Sequence, residues 1–156
     1  MRRFLMLTSA LILISVSAFA ESLENTVFAH NMNTSICNAL EITGTPRVTE
    51  KSTGTNYEYI LTDNLRAIFI EKDSKVNSCA FVCFDESDAA EFLAQCITAC
   101  YNFGGIEAGT ICYDPILFNF MSARSGTNLD SVTLPGLLFK ISKEQFGYTF
   151  TLVRID

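Results

Sequence analysis

The stretch LRAIFIEKDSKVNSCAFVCF, residues 65–84, decides the fold of this chain. Two apolar runs, 65–70 and 76–84, flank the charged segment EKDSK at 71–75. Apolar and β-branched runs of about four to eight residues on either side of a polar turn are typical of a β-hairpin. We therefore expect two antiparallel strands here.

The same strand pattern extends towards the N-terminus. A Thr-rich segment begins at Arg47, and the run YEYIL follows at 57–61. The turn-prone TGTN at 53–56 separates them, and Asp63-Asn64 supplies the next turn. Consecutive strands joined by short turns pair with their chain neighbours. The sequence predicts a meander of three or four antiparallel strands.

A helix is predicted directly after this meander. Asp88 is placed to cap it, with Glu91 three residues later to complete a capping box, and Gly104-Gly105 tolerate the positive φ that ends a helix. One apolar stripe at helical spacing should cover the sheet. It consists of Phe92, Cys96, Cys100 and Phe103, beside Leu93 and Ile97.

The remaining segments predict short helices and a hairpin. Residues 33–35 can cap a short helix before the meander. Residues 111–121 are apolar but contain Pro115, which favours a loop and then a short helix from that proline, capped by Asp114, with an edge strand as the alternative. Residues 132–142 and 148–155 are predicted to form a C-terminal hairpin.

The strands cluster in the chain instead of alternating with helices, which predicts an α+β two-layer sandwich. An antiparallel β-meander and the C-terminal hairpin form its sheet, and helices cover one face. The length suits a single domain spanning residues 21–156.

Residues 1–20 are predicted to be a secretory signal peptide. Arg2 and Arg3 precede the apolar run 4–16, and Ala18-Phe19-Ala20 provides small residues before a cleavage site. No other apolar run approaches the roughly 20 residues that a membrane helix needs. We expect a soluble mature product, without membrane insertion, in the periplasm or secreted.

The chain is acidic, with 11 Lys and Arg against 17 Asp and Glu. Loss of Arg2 and Arg3 with the signal peptide leaves nine basic residues and a net charge of −8. Nucleic-acid binding depends on clustered Lys and Arg, so nucleic acid is not expected as a partner.

Six cysteines follow the predicted cleavage site, and export would deliver them to a compartment where disulfides persist. They are Cys37, Cys79, Cys83, Cys96, Cys100 and Cys112. Four residues on a strand separate Cys79 from Cys83 by about 13 Å, and Cys96 and Cys100 point in parallel from one helix, so neither pair suits a bond within itself. We expect structural disulfides, with a bridge from Cys79 to Cys96 or Cys100. Zinc at the two Cys-x3-Cys spacings is the less favoured alternative, and no metal or cofactor is expected.

No motif predicts a catalytic residue. The chain lacks a Walker loop, a dinucleotide-binding glycine fingerprint, a serine nucleophile elbow and an HExxH helix. The single histidine, His30, stands in a polar segment far from every cysteine. The acidic cluster Asp85, Glu86, Asp88 and Glu91 could support acid–base chemistry, but helix capping explains it more simply.

These features favour a binding module over an enzyme. A small acidic domain cross-linked by disulfides suits a protein-binding, inhibitor or immunity role towards an extracytoplasmic protein. Complementary charge on the two proteins would accelerate their encounter. One alternative is a carrier of an apolar small molecule, suggested by 13 Phe and the run 116–121. Another is a carboxylate-dependent hydrolase, which requires two convergent buried carboxyl groups.

Overall fold

The computed structural model describes residue 42, residues 45–73 and residues 75–155 of the chain. Within this part lie seven strands and two α-helices. The strands are Arg47–Lys51 (β1), Gly54–Ile60 (β2), Leu65–Lys72 (β3), Lys75–Cys83 (β4), Val132–Leu134 (β5), Leu137–Glu144 (β6) and Gly147–Arg154 (β7). The helices are Ala89–Ile111 (α1) and Tyr113–Arg124 (α2), and a short 3-10 turn, Glu86–Asp88, precedes α1.

All seven strands pair in one antiparallel sheet, in the order β1-β2-β3-β4-β7-β6-β5. The meander and the C-terminal strands join where β4 pairs with β7, with Phe81 opposite Phe150. Both helices lie in the connection between β4 and β5 and pack on the sheet. The predicted α+β two-layer fold with a C-terminal hairpin is confirmed.

Alternation along the strands decides which face of the sheet is buried. In β7, Phe150 and Leu152 are buried, whereas Thr151 and Val153 are exposed on the opposite face, as the period of two requires. Four neighbouring strands each place one phenylalanine on the buried face, with successive ring centroids between 5.8 and 6.5 Å apart. These rings are Phe69 on β3, Phe81 on β4, Phe150 on β7 and Phe139 on β6. They form an aromatic band across the centre of the sheet.

Helix α1 covers this band with the predicted stripe, since Phe92, Cys96, Cys100 and Phe103 are all buried. The backbone leaves helical geometry at Gly105, where φ is 73° and ψ is −167°. Essentially only glycine adopts this conformation. The helix was predicted to end at Gly104-Gly105; helical geometry does stop at Gly105, but a second helical segment follows at once and continues to Ile111.

Helix α2 begins at Tyr113, two residues before the predicted start, and keeps Pro115 in its first turn, where a missing N–H costs no hydrogen bond. The predicted cap at Asp114 is wrong. Cys112 holds the cap position and is itself in the αR conformation, because the chain passes from α1 into α2 without an extended residue.

The segment 132–142 is two strands and not the single one predicted. The Pro135-Gly136 turn, with Gly136 at φ 69°, separates β5 from β6. Both residues are turn formers, so the signal was present in the sequence.

The predicted signal peptide, the helix capped by residues 33–35, His30 and Cys37 all lie outside the described residues. Within the described ranges, none of the helices has the length and apolar character needed to cross a membrane.

Candidate functional site

The acidic segment after β4 begins the helical layer. Asp85 Oδ1 accepts a hydrogen bond from the Ser87 backbone N–H at 2.8 Å, which caps the 3-10 turn and lowers the pKa of Asp85. Asp88 stands at the predicted cap position of α1, but its side chain makes no capping hydrogen bond. It accepts one from the Thr62 hydroxyl instead. The predicted position of the cap is therefore correct. The predicted capping hydrogen bond is not formed, because the Asp88 carboxylate accepts its hydrogen bond from Thr62.

Glu91, the predicted second half of the capping box, also bonds elsewhere. Its Oε1 accepts a hydrogen bond from Gln95 Nε2 at 2.8 Å, one helical turn further along α1. The capping box is not formed, and Glu91 stays exposed on the surface of the helix.

Glu86 connects the helical layer to the sheet. The Tyr148 hydroxyl donates to Glu86 Oε1 at 2.5 Å, and Arg124 Nη2 lies 3.4 Å from Oε2. The Tyr148 hydrogen bond is the main cause that lowers the pKa of Glu86, and Arg124 contributes in the same direction. Burial, together with the carboxylate, raises the pKa of Tyr148 to about 12. A neutral phenol thus donates to an ionised carboxylate across the physiological pH range.

A depression of 490 Å³ lies between the turn after β2 and the start of α1; we call it the acidic pocket. Thr62 contributes from the turn, and Asp88, Glu91 and Gln95 contribute from the helical side. Asp88 is half-buried and Glu91 exposed. The pocket therefore presents two carboxylates to solvent.

A second depression, of 240 Å³, runs between α1 and α2; we call it the apolar groove. Helix α1 contributes Leu93 and Ile97, and α2 contributes Tyr113, Ile116 and Leu117. Tyr113 is 56% exposed and Leu117 37%. The groove is open to solvent along these side chains.

The apolar surface continues on α2 beyond the groove. Phe118 is 64% exposed and Met121 51%. Isolated exposed apolar side chains are ordinary, but a contiguous set beside a groove is typical of a binding surface.

The acidic pocket and the apolar groove meet, because Ala90 lines both. Charge is concentrated in the same layer. Residues 85–124 carry six carboxylates and one cation, Arg124, for a net charge of −5. The rest of the described chain carries eight cations and seven carboxylates, for a net charge of +1. The helical layer is thus acidic, and the sheet is close to neutral.

The five cysteines of the described part are buried and have free thiols in this structure. They are Cys79, Cys83, Cys96, Cys100 and Cys112. Burial raises the pKa of the Cys79, Cys83 and Cys96 thiols, so none of these three is an activated nucleophile. The bridge from Cys79 to α1 is not formed here, and disulfide bonding stays a prediction.

Cys100 and Cys112 influence each other's pKa. Cys112 is the main cause that raises the pKa of Cys100, and Cys100 lowers the pKa of Cys112. Cys112 Sγ in turn lies 3.2 Å from the Gly109 carbonyl oxygen. These sulfurs pack inside α1 and its junction with α2.

Among the described residues, two arrangements would be relevant to metal binding and to carboxylate catalysis. No group of three or more His, Cys, Asp or Glu side chains in those ranges is placed to hold a metal ion. The buried polar side chains described are Gln95, Asn102 and Asn119, with no Asp or Glu among them. The convergent buried carboxyl pair that the hydrolase alternative requires is not found in this part of the chain.

Sequence reasoning missed three features of this surface: the Thr62 hydroxyl, the Tyr148 contact with Glu86, and the outer stripe of α2. The two hydrogen bonds join residues that are far apart in the chain, so no local pattern signals them. The stripe on α2 could have been predicted from the sequence, because the apolar residues Tyr113, Leu117 and Met121 recur every four residues on one helix face.

Similarity to known proteins contributes no assignment. Comparison of the chain with family models, curated proteins and solved structures finds no match. The functional conclusion depends on the residues of this chain alone.

Proposed function

We propose that this protein is an exported, non-catalytic binding module whose helical layer docks a basic segment of another extracytoplasmic protein. The observation that carries the proposal is the junction, at Ala90, of an open apolar groove with a pocket that presents Asp88 and Glu91. A partner that places an apolar side chain in the groove brings its neighbouring residues next to carboxylates.

In this proposal, apolar contacts in the groove provide the affinity for the partner. Burial of exposed apolar surface contributes roughly 25 cal/mol per Å², and interface energy concentrates in a few well-packed anchors. Leu117 and Tyr113 are exposed in the groove, and Ile116 beneath them is fully buried. A leucine or aromatic side chain of the partner would dock between them.

The carboxylates supply the preference for a basic partner. Glu91 lies three residues before Ala94 on α1, and Asp114 three residues before Leu117 on α2, so each shares a helix face with a groove residue. With a net charge of −5 on this layer, approach of Lys or Arg is favoured and approach of acidic surfaces is disfavoured.

The two other functions considered from the sequence have weaker geometric support. Small-molecule sites are usually enclosed clefts of about 300–1,000 Å³, whereas the apolar groove is open and measures 240 Å³. The run 116–121 does not line an interior cavity, since Ile116 and Phe120 are core residues and Leu117, Phe118 and Met121 face outward.

The test uses a defined basic probe. An amphipathic helical peptide of about 18 residues made of Leu and Lys spans roughly 27 Å, longer than α2. Its anisotropy is titrated with the full mature chain at about 50 and 150 mM salt, beside a matched Leu and Glu peptide. We expect the Lys peptide to bind, the Glu peptide not to bind, and affinity to fall as salt rises.

Matched variants locate the binding. Leu117→Asp places a charge in the groove and should weaken binding by about tenfold or more. Val153→Asp makes the same kind of change on the exposed face of the sheet, where Val153 is 43% exposed, and should leave affinity unchanged. Glu91→Gln with Asp114→Asn should weaken binding and flatten its salt dependence. Equal losses for Leu117→Asp and Val153→Asp, or no binding of the Lys peptide, would refute the proposal.

A further inference from the structure

We propose that a second copy of this chain packs on the outer face of the sheet, which is the face opposite the aromatic band. The two copies form a symmetric dimer whose two-fold axis runs close to the direction of β4. This inference goes beyond the proposed function, because the apolar groove lies between α1 and α2 on the other side of the sheet.

The outer face is apolar at its centre. The residues that point to it alternate along each strand with the buried ones. Its apolar members are Ile68 and Ile70 on β3, Ala80 and Val82 on β4, Leu138 on β6 and Val153 on β7. Both α1 and α2 pack on the opposite face, where Phe120 of α2 lies 4.9 Å from the Tyr148 ring. Within the described ranges, this apolar face is therefore not covered by a helix.

The strand order makes the outer face symmetric about β4. β4 is the central strand of the seven, with β3 and β7 on either side of it and β2 and β6 beyond them. A two-fold axis along β4 places β3 of one copy over β7 of the other, and β2 over β6. A symmetric dimer needs a surface that matches itself in this way.

The strand register places opposite charges at matching positions. Glu58, Ile68, Ala80, Thr151 and Lys140 form one row across the sheet, because each is paired with the next. An axis through Ala80 brings Glu58 of one copy opposite Lys140 of the other, and the symmetry repeats this pair on the far side. The two charge pairs would therefore flank the apolar centre of the interface.

The adjacent row matches apolar residues in the same way. Ile70, Ser78, Val153 and Leu138 are paired in sequence across β3, β4, β7 and β6. The axis brings Ile70 of one copy over Val153 of the other and keeps the small Ser78 at the centre. Side chains of two aligned sheets interdigitate at a separation of about 10 Å, so small residues at the axis and larger ones beside it suit such packing.

Arg66 also lies on the outer face, but its charge does not oppose the second copy. Its Nη1 donates to the Thr62 carbonyl oxygen at 2.5 Å, and its guanidinium lies over the Phe84 ring at 5.7 Å. The row Arg66, Val82 and Thr149 places the neutral Thr149 of the second copy opposite Arg66. No like charges meet in this row.

The outer face is large enough for a stable dimer. The five central strands have seven to nine residues each. At about 4.8 Å between strands and 3.4 Å per residue, they cover roughly 650 Å². A specific interface needs about 500 Å² or more from each partner, so the face meets this requirement.

The experiment measures the mass of the full mature chain by sedimentation velocity at concentrations from about 1 to 100 μM. We expect a dimer. Ala80→Glu places two carboxylates against each other at the axis and should weaken the dimer about a hundredfold or more. Ile106→Glu adds the same charge on α1, where Ile106 is 52% exposed, and should leave the dimer intact.

A charge swap identifies the facing residues and does not alter the core. Lys140→Glu opposes Glu58 of the second copy at two symmetric sites and should weaken the dimer by about tenfold or more. The double variant Lys140→Glu, Glu58→Lys should restore it. These two residues lie four strands apart, about 19 Å within one chain, so the rescue requires contact between copies.

Melting temperatures of the variants establish that each chain stays folded, and Leu and Lys peptide affinity per chain should be unchanged in Lys140→Glu. Failure of the dimer is thus distinguishable from failure of peptide binding. A monomer at all concentrations, a dimer unaffected by Ala80→Glu, or a double variant no tighter than Lys140→Glu would overturn the inference.

Discussion

The sheet and the helical layer of this protein are built in different ways. The sheet is regular: seven strands pair in continuous register, with one irregularity between Ile70 and Glu71 in the β3–β4 pair. The helical layer is interrupted at Gly105 and again at Cys112. Both layers bury polar atoms without hydrogen-bond partners, including Asn102 Nδ2 and Asn119 Oδ1 in the helices and Thr149 Oγ1 on β7.

The two layers also differ in what they expose. The sheet carries a net charge near zero, whereas residues 85–124 carry −5 and the apolar groove. Exposed apolar groups and unbalanced charge favour the docking of a partner, but both cost stability. Under the proposed function, the sheet would provide the stability and the helical layer the binding surface.

The largest expected effect is in the aromatic band. Phe150→Ala removes a fully buried ring between Phe81 and Phe139 and should lower the free energy of unfolding by about 3–5 kcal/mol. Leu117→Ala, on the outer side of α2, should cost less than about 1 kcal/mol. Urea denaturation measures both. Similar losses for the two variants would contradict the division into a stabilising layer and a binding layer.

The second prediction concerns the break in α1. Gly105→Ala forces an alanine into a conformation that only glycine adopts freely and should cost about 1–3 kcal/mol. No atom lies within 4 Å of the added Cβ, so the cost arises in the backbone and not from a clash. Hydrogen exchange should accelerate in residues 106–111 and stay slow in β4 and β7.

The control for this variant is Glu107→Ala, an exposed change in the same segment that should stay within about 0.5 kcal/mol. A Gly105→Ala protein as stable as the wild type, with unchanged exchange in residues 106–111, would show that the break is not required.

The smallest expected effect is at the contact between the two layers. Tyr148→Phe keeps the buried ring and removes the hydroxyl that donates to Glu86, so it should lower the melting temperature at neutral pH. The pKa of Glu86 is depressed in the folded protein, so the bond stabilises the fold above the ordinary Glu pKa of 4.5 and is lost as pH falls through the folded value. Melting temperatures of wild type and Tyr148→Phe should therefore converge as pH falls below the ordinary Glu value.

Glu86→Gln is the partner variant for this measurement, because it removes the same titration while leaving Tyr148 intact. It should show the same convergence in acid. A difference between wild type and Tyr148→Phe that stays constant from about pH 7 to pH 3 would rule out the Glu86 contact as its source.

The elements of this fold were predictable to the extent that local pattern specifies them. Alternation in β7 predicted which of its residues are buried, and the stripe from Phe92 to Phe103 predicted the core face of α1. The helix at Pro115 was predicted two residues late, because its start depends on the direct passage from α1 through Cys112. The separation of β5 from β6 was missed although Pro135-Gly136 signals it.

The candidate site was predictable only in its composition. The acidic cluster after β4 was recognised in the sequence but interpreted as a helix cap. The apolar run 116–121 was recognised but interpreted as the lining of a carrier cavity. Asp88 bonds Thr62 from another part of the chain, and α2 turns Leu117 and Phe118 outward. Such outcomes depend on which segments become neighbours, and local spacing does not contain that information.

The sequence by itself determined the two-layer α+β architecture, because hydrophobic periodicity specifies which face of each element avoids water. It also determined the acidity of the segment that begins the helical layer. Only the tertiary structure decided that β4 pairs with β7 and that the acidic pocket joins the apolar groove at Ala90. Each of these is a contact between residues distant along the chain, and its position follows from packing all the elements at once.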